Sequence, residues 1–198
     1  MENERKEHRL VSIDLCATDL RDICGRYHFG DIGLPLLMEI YKKYFKNNMV
    51  SAYFAWSKKE TDRASVLMTL GKKVDDIQNR FMEEGRLSEA YMMECIATEQ
   101  LAKAYAKGDD FLHEKTGLWC GKYEFPGTER PMEDIAEIVD AFDQEEIFYN
   151  AAYVLMPKKS VAYTVLMQEE EPDMRREQAL CTGCGREGCE RRMMNSEE

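Results

Sequence analysis

The stretch VLMTLGKKVDDI (66–77) decides the predicted fold class. It belongs to an apolar run over 64–71 that Gly71 closes, and Val74, Ile77 and Phe81 follow at the spacing of one helical face. A strand, a glycine and then a helix predict a βα unit. The chain is therefore expected to mix strands with helices, as α/β or α+β.

Further helices are predicted from apolar periodicity and from residues that begin helices. LPLLMEIYKKYFKN (34–47) predicts a buried helix with Pro35 in its first turn. We expect Ser88 to cap a long helix that runs to about residue 107, and Pro131 to open a shorter one. The inner face of the long helix would carry Ala90, Met93, Ala97, Leu101 and Ala104, and that of the shorter one Ile135, Ile138, Val139 and Phe142.

The remaining strands are predicted from runs of β-branched and aromatic residues. MVSAYFAW (49–56) and GLWCGKY (117–123) each predict one strand. IFYNAAYVLM (147–156) and SVAYTVLM (160–167) predict two more, joined through PKKS as a hairpin. The cysteines near the N-terminus and Gly30–Gly33 suggest a helix followed by a loop. The total is about five strands and four helices in one domain with a tail.

Composition limits the class of partner. The chain has 198 residues, is 44% hydrophobic and 33% charged, and carries a net charge of −11. These values are typical of a globular domain and argue against nucleic acid, because phosphate binding needs clustered Lys and Arg. The beginning of the chain has no signal-peptide pattern, and no apolar run approaches the length of a membrane span. We therefore expect a cytoplasmic protein that binds a small molecule or a protein and no membrane.

The segment CTGCGREGCERR (181–192) is the strongest local signal for a metal site. Cys181, Cys184 and Cys189 are separated by glycines that let the backbone fold around an ion. Zinc sites and iron–sulfur clusters are both typically bound by four protein ligands, and this segment supplies three. Cys120, His113, an acid or an exchangeable group would be the fourth. The alternative is an unstructured tail with reduced thiols.

The other cysteines and the histidines have simpler interpretations. Seven cysteines in a cytoplasmic protein are expected to stay reduced. Cys16, Cys24, Cys95 and Cys120 have apolar neighbours and are expected to be small buried side chains. The isolated His28 and His113 are expected to be structural.

Four segments occur in an order that resembles a known family. They are VLMTLGKKVDDI, FPGTERPMEDIAEI (125–138), VLMPKKSVAYTVLM (154–167) and the terminal C-x2-C-x4-C. Together they resemble the activation domain of cobalamin-dependent methionine synthase, and especially its small free-standing clostridial-type relatives. The resemblance covers roughly residues 50 to 192. It implies a single domain with a twisted, mostly antiparallel sheet flanked by helices, followed by a short Cys-rich tail.

The resemblance also implies a function. Such a domain binds S-adenosylmethionine over the corrin of a corrinoid-binding methyltransferase protein and assists reductive reactivation of cob(II)alamin, with S-adenosylmethionine as the methyl donor. The resemblance implies that the corrinoid carries out the difficult chemistry, and that the protein binds and orients the reacting groups. The alternative is a non-enzymatic module that binds the corrinoid protein, or a metal or iron–sulfur redox module, either of which has lost the S-adenosylmethionine site.

The S-adenosylmethionine site implied by the resemblance departs from the family pattern. The family loop has an arginine three places before its proline and a tyrosine after its glycine, where this chain has Tyr123 and Thr128. Lysine or tyrosine does not replace the planar fork of arginine at a carboxylate site. Arg130 is a candidate to reach back in its place. The ligand residues implied are Glu94, Tyr123, Pro126, Gly127, Lys159 and Ser160.

Both ligand loops also have an ordinary structural interpretation. MPKKSV (156–161) has the composition of a polar hairpin turn, and KYEFPGTER (122–130) that of a surface loop. The domain organisation expected is an N-terminal segment over 1–33 of undefined packing, an activation-domain-like body over 34–172 and a Cys-rich tail over 173–198.

Overall fold

The strands form a five-stranded antiparallel sheet and a separate two-stranded one. The computed structural model describes residues 4–57 and 62–172. The larger sheet has the order β1-β2-β3-β7-β4, with each neighbouring pair antiparallel. β5 and β6 pair with each other. The strands are β1 Glu4–Ser12, β2 Met49–Ser57, β3 Arg63–Thr69, β4 Trp119–Glu124, β5 Phe148–Tyr149, β6 Leu155–Met156 and β7 Ser160–Gln168.

Within the described ranges, five α-helices accompany the sheets. One of them, α2, continues directly into a π-helical turn over Tyr41–Phe45. The predicted mixed fold, with its antiparallel sheet flanked by helices, is confirmed. The helices are α1 Ala17–Arg26, α2 Gly30–Ile40, α3 Lys72–Glu83, α4 Leu87–Thr116 and α5 Asp134–Asp140.

The two faces of the sheet bury separate cores. Successive strand residues point to opposite faces, so Tyr163 and Val165 of β7 join the core beneath α1 to α4, whereas Ala162 joins the core beneath α5. β1 and α1, which lie in the N-terminal segment over 1–33, pack as part of the same domain as the rest of the sheet. β1 pairs with β2 over its whole length, and Leu20 of α1 is buried in the first core.

Several predicted element boundaries are wrong, each for a local reason. The helix predicted from residue 34 begins at Gly30, so Pro35 lies inside α2 and Gly30–Gly33 is helical, not a loop. α4 begins at Leu87, because Arg86 N–H still bonds to Phe81 O at the end of α3 and the next helix starts immediately. Ser88 therefore lies within the first turn of α4 and is not its cap.

The regions around residues 131 and 150 also differ from expectation. Pro131 accepts the Asp134 N–H in a turn that precedes α5, so the helix opens three residues later than predicted. The run 147–156 is not one strand of a hairpin with β7. It doubles back as β5 and β6, because Asn150 Oδ1 accepts the N–H groups of Ala152 and Val154 at 2.9 and 3.1 Å.

Candidate functional site

One end of the large sheet carries most of the predicted ligand residues. β3 ends at Thr69, which pairs with Ser160 at the beginning of β7, and β4 runs towards the same end of the sheet and stops at Glu124, opposite Thr164 in the middle of β7. The loop over 125–130 and the turn over 157–159 therefore leave the sheet at the same end. Helix α4 crosses this end and carries Glu94.

Glu94 and Lys159 form an ion pair that joins α4 to the beginning of β7. Gln78 of α3 donates to the second Glu94 oxygen at 3.0 Å. Burial raises the pKa of Glu94, but the hydrogen bonds from Lys159 and Gln78 outweigh it and hold the pKa below its ordinary value. The Glu94 side chain is 41% exposed and that of Lys159 13% exposed, so the pair is reached from solvent on the Glu94 side.

Ser160 lies on the opposite face of the sheet from Lys159. Its hydroxyl donates to Thr69 Oγ1 at 2.8 Å, and Thr69 Oγ1 also accepts the Gly71 N–H at 3.0 Å. Because Ser51 pairs with Thr69 in register, three hydroxyl residues, Ser51, Thr69 and Ser160, cross neighbouring strands in one row. The structure thus separates two adjacent residues that were expected to serve one ligand.

The loop at 125–130 is closed by its own backbone. Phe125 O accepts the N–H groups of Thr128, Glu129 and Arg130 at 3.1 to 3.3 Å, and Gly127 N–H donates to Arg130 O at 2.8 Å. Gly127 has φ +86°, a conformation that favours glycine. Pro126 forms a bridge with Arg130, which completes the tight loop.

Tyr123, which stands where the resemblance implies an arginine, is held by an acid. Its hydroxyl donates to Asp109 Oδ2 of α4 at 3.0 Å. Tyr163 lies at the centre of an aromatic cluster here, with its ring centroid 5.5 Å from Tyr105, 6.1 Å from Tyr123 and 5.5 Å from Phe125. The position therefore presents aromatic surface and not the guanidinium that the resemblance implies.

Arg130 does not reach back to replace the missing arginine. Its guanidinium donates to Asp134 at 2.6 Å and to Thr164 Oγ1 at 3.2 Å. Thr164 has the same parity in β7 as Ser160, so this contact lies on the α5 face, away from Glu94 and Lys159.

Three site residues were missed by the sequence reasoning. Gln78 orients Glu94, Asp109 holds Tyr123, and Asp75 accepts the Lys158 N–H at 2.7 Å. The only sequence signal for Asp75 was an acid in the first turn of α3, which is common at helix N-termini. Gln78 and Asp109 gave no signal, because their partners are distant in the chain.

The predicted metal ligands Cys181, Cys184 and Cys189 lie outside the described residues, so their role stays a prediction. Among the candidates for a fourth ligand, Cys120 is buried in β4, and His113 bonds through Nδ1 to Leu118 O at 3.1 Å and stacks on Trp119. Within 4–57 and 62–172, no three His, Cys, Asp or Glu side chains are grouped to hold a metal ion.

Helices in the described parts of the chain do not combine the length and apolar character that a membrane span requires.

The chain is similar in fold to the crystal structure of the MetH reactivation domain bound to AdoHcy. The TM-score is 0.54 and the sequence identity 10%, and the match covers 88% of this chain and 82% of that chain. The fold predicted from the resemblance is confirmed. No family model and no curated protein sequence matches the chain.

Proposed function

We propose that this chain is a cytoplasmic accessory protein of a cobalamin-dependent methionine synthase or a related corrinoid methyltransferase. In this role it assists reductive reactivation of cob(II)alamin bound by that partner. The observation that carries the proposal is the fold shared with a reactivation domain over 88% of this chain. The family-like turn at 157–160 and loop at 125–130 at one end of the sheet support it.

The partner's corrinoid would supply the chemistry. When bound by the partner, the corrinoid would supply the electron-accepting and methyl-accepting centre, with S-adenosylmethionine as the methyl donor and AdoHcy as the product that leaves. This chain would contribute binding and orientation: it would dock on the corrinoid protein and hold the amino-acid end of S-adenosylmethionine beside Glu94 and Lys159.

The ion pair of Glu94 and Lys159 fits the amino-acid end of this ligand. An α-amino acid carries an ammonium and a carboxylate on neighbouring atoms, so it matches both members of the pair. On this proposal the ligand ammonium binds Glu94, whose lowered pKa keeps it charged at neutral pH, and the ligand carboxylate binds Lys159. Lysine is a point charge without a planar fork, so binding would be weaker than at an arginine.

Titration calorimetry with S-adenosylmethionine and with AdoHcy tests this site. Lys159→Met should abolish the saturable heat, whereas the matched control Lys158→Met should keep it, because the Lys158 ammonium binds Asn79 instead. Equal loss in both variants would contradict the assignment to Lys159. Absence of saturable heat in the wild type would refute the proposal that this chain binds S-adenosylmethionine.

A reactivation assay tests the function itself. The reaction contains a cobalamin-dependent methionine synthase fragment without its own reactivation domain, loaded with cob(II)alamin, together with titanium(III) citrate and S-adenosylmethionine. Addition of this protein should accelerate the appearance of the methylcobalamin absorbance. An unchanged rate across corrinoid proteins that bind this chain would refute the reactivation role.

A second candidate is a non-enzymatic module that binds the corrinoid protein without S-adenosylmethionine. The observation that favours it is the use of the local polar groups in internal contacts, because Tyr123 binds Asp109 and Arg130 binds Asp134. This candidate predicts binding of a corrinoid protein with no saturable heat from S-adenosylmethionine.

We further propose that Cys181, Cys184 and Cys189 bind a metal, either as an iron–sulfur cluster that delivers an electron or as zinc that stabilises the tail. Metal and acid-labile sulfide should be measured on anaerobically purified protein beside the triple alanine variant. Iron with matching sulfide, lost in the variant, indicates a cluster, and zinc indicates a structural site. No metal in either protein would refute the proposal.

A further inference from the structure

Asp75 is a buried acid that joins helix α3 to the turn carrying Lys159. It is 5% exposed and lies in the first turn of α3. Oδ2 accepts the Lys158 N–H at 2.7 Å, across 83 positions of sequence. Among the described residues, Oδ1 has no hydrogen-bond partner. A buried carboxylate oxygen without a partner is unfavourable, so packing alone does not explain an acid at this position.

The contact restrains the turn from helix α3. On the sheet side, Leu70 N–H donates to Lys159 O at 3.0 Å. Asp75 holds the Pro157–Lys158 peptide, so the backbone is fixed to another element on either side of the pair of residues 158 and 159. The lysine side chain has the limited reach of a four-carbon stem, so a displacement of its Cα away from α4 lengthens or breaks the contact of its ammonium with Glu94.

We infer that Asp75 is a positioning residue for the Glu94–Lys159 pair: its carboxylate fixes the turn over 157–159 so that the Lys159 ammonium stays on Glu94. The pair itself is a structural fact, and its role in ligand binding rests on the proposed function. The inference adds a residue that touches neither member of the pair and acts through the Lys158 peptide.

The charge state of Glu94 reports the position of Lys159 without any ligand. The hydrogen bond from Lys159 is the strongest of the contacts that lower the pKa of Glu94 against burial. If the turn moves, this contact weakens and the pKa of Glu94 rises. Loss of stability alone does not predict this change, because the native protein is observed at a temperature well below unfolding.

The experiment is a pH titration of ¹³C-labelled glutamate carboxyls by NMR, with the Glu94 resonance identified by its loss in Glu94→Gln. Lys159→Met sets the value of the Glu94 pKa without its partner. Asp75→Ala is expected to raise the pKa of Glu94 towards that value. Asp75→Asn should keep the wild-type pKa, because the amide oxygen still accepts the Lys158 N–H.

Two controls separate positioning from general loosening. Asn79→Ala, on the same helix, removes the 3.2 Å contact to the Lys158 ammonium. The charge of that ammonium is the weakest of the influences that lower the pKa of Glu94, so this variant should change the Glu94 pKa much less than Asp75→Ala does. If Asp75→Ala does not fold, Asp75→Ser replaces it, since serine suits the first helical turn but is too short to reach Lys158. A wild-type Glu94 pKa in the Ala or Ser variant overturns the inference, and so does an equal rise in Asn79→Ala.

This outcome is independent of the proposed function. If S-adenosylmethionine gives no heat with the wild type but the pKa responds as described, the positioning role stands and the proposed ligand fails. If S-adenosylmethionine binds through Lys159 and the Asp75 variants leave the Glu94 pKa unchanged, the ligand stands and the positioning role fails.

Discussion

Gly127→Ala tests whether the loop at 125–130 depends on a backbone conformation that only glycine adopts easily. Gly127 has φ +86°, and a Cβ built there lies 2.6 Å from Met132 Cε and 3.2 Å from Met132 Sδ. An L-residue held in such a conformation costs about 1–3 kcal/mol. The Met132 side chain is flexible and exposed, so it can turn away at a cost of a few tenths of a kcal/mol. We expect a total loss of about 1–2 kcal/mol in the free energy of unfolding.

Urea unfolding measures this loss, and two further variants divide it. Adding Met132→Ala removes the contact and leaves the strained backbone, so it should recover no more than about 0.5 kcal/mol. Gly25→Ala is the matched control, because Gly25 lies in α1 with no atom within 4 Å of its Cβ position. That change should stabilise the protein by about 0.5–1 kcal/mol, as alanine does in helices. Unchanged stability in Gly127→Ala, or full recovery with Met132→Ala, would refute the reasoning.

The same strain affects how ligand binding is tested. A larger residue at position 127, such as arginine, would carry the backbone cost and the contact with Met132 together. Loss of binding in such a variant would therefore mix a distorted loop with a blocked site. Lys159→Met is the cleaner variant, because it removes one charge and leaves the backbone of the turn in place.

Three other predictions concern two ion pairs and the hydrogen bond between Tyr123 and Asp109. Lys159→Met should lower the free energy of unfolding by about 1 kcal/mol or less at neutral pH, because the Glu94 side chain is 41% exposed. The folded pKa of Glu94 is below its ordinary value of 4.5, so this stabilisation is present above that value and is lost as the pH falls through the folded pKa. Urea unfolding of the wild type and Lys159→Met at several pH values measures it. A stability difference between these two proteins that does not change with pH would contradict the prediction. Glu99→Ala should destabilise by about 3 kcal/mol in the same assay, because it removes a buried carboxylate bound to Arg26 at 2.6 Å. The control Arg86→Ala, at an exposed pair, should cost much less. Tyr123→Arg combined with Asp109→Asn should tighten S-adenosylmethionine about tenfold by calorimetry, whereas Tyr123→Arg alone should do little because Asp109 would bind the new guanidinium.

The elements that were predicted correctly from the sequence are those whose buried faces produce a regular spacing of apolar residues. β2 and β3 are mostly buried, and α3 buries Val74, Ile77 and Phe81 on one face, so their apolar residues marked them correctly. β1 was not predicted, because it lies at the sheet edge with exposed, mostly charged side chains. β1 pairs with β2 through backbone hydrogen bonds, which do not require particular side chains and so cannot be recognised from residue types.

The candidate site was predicted in part, for a related reason. Glu94 and Lys159 were both identified and do meet, although 65 positions separate them. Ser160 was grouped with Lys159 on the resemblance, yet the Ser160 hydroxyl binds Thr69 on one face of the sheet while the Lys159 ammonium binds Glu94 on the other. Asp75 and Asp109 act through partners that only the folded chain brings near, and a single sequence carries no information about such pairs.

The position of β7 has a consequence for biosynthesis. β7 lies between β3 and β4 in the sheet, although it is the last strand among the described residues to be made. A nascent chain can form β1, β2 and β3 as a meander, but β4 has no neighbour until Ser160–Gln168 leaves the ribosome. The partial sheet exposes a buried strand edge during that interval, when chaperones or other nascent chains can pair with it. Interruption of translation before residue 160 would therefore leave an aggregation-prone product, not a shortened domain.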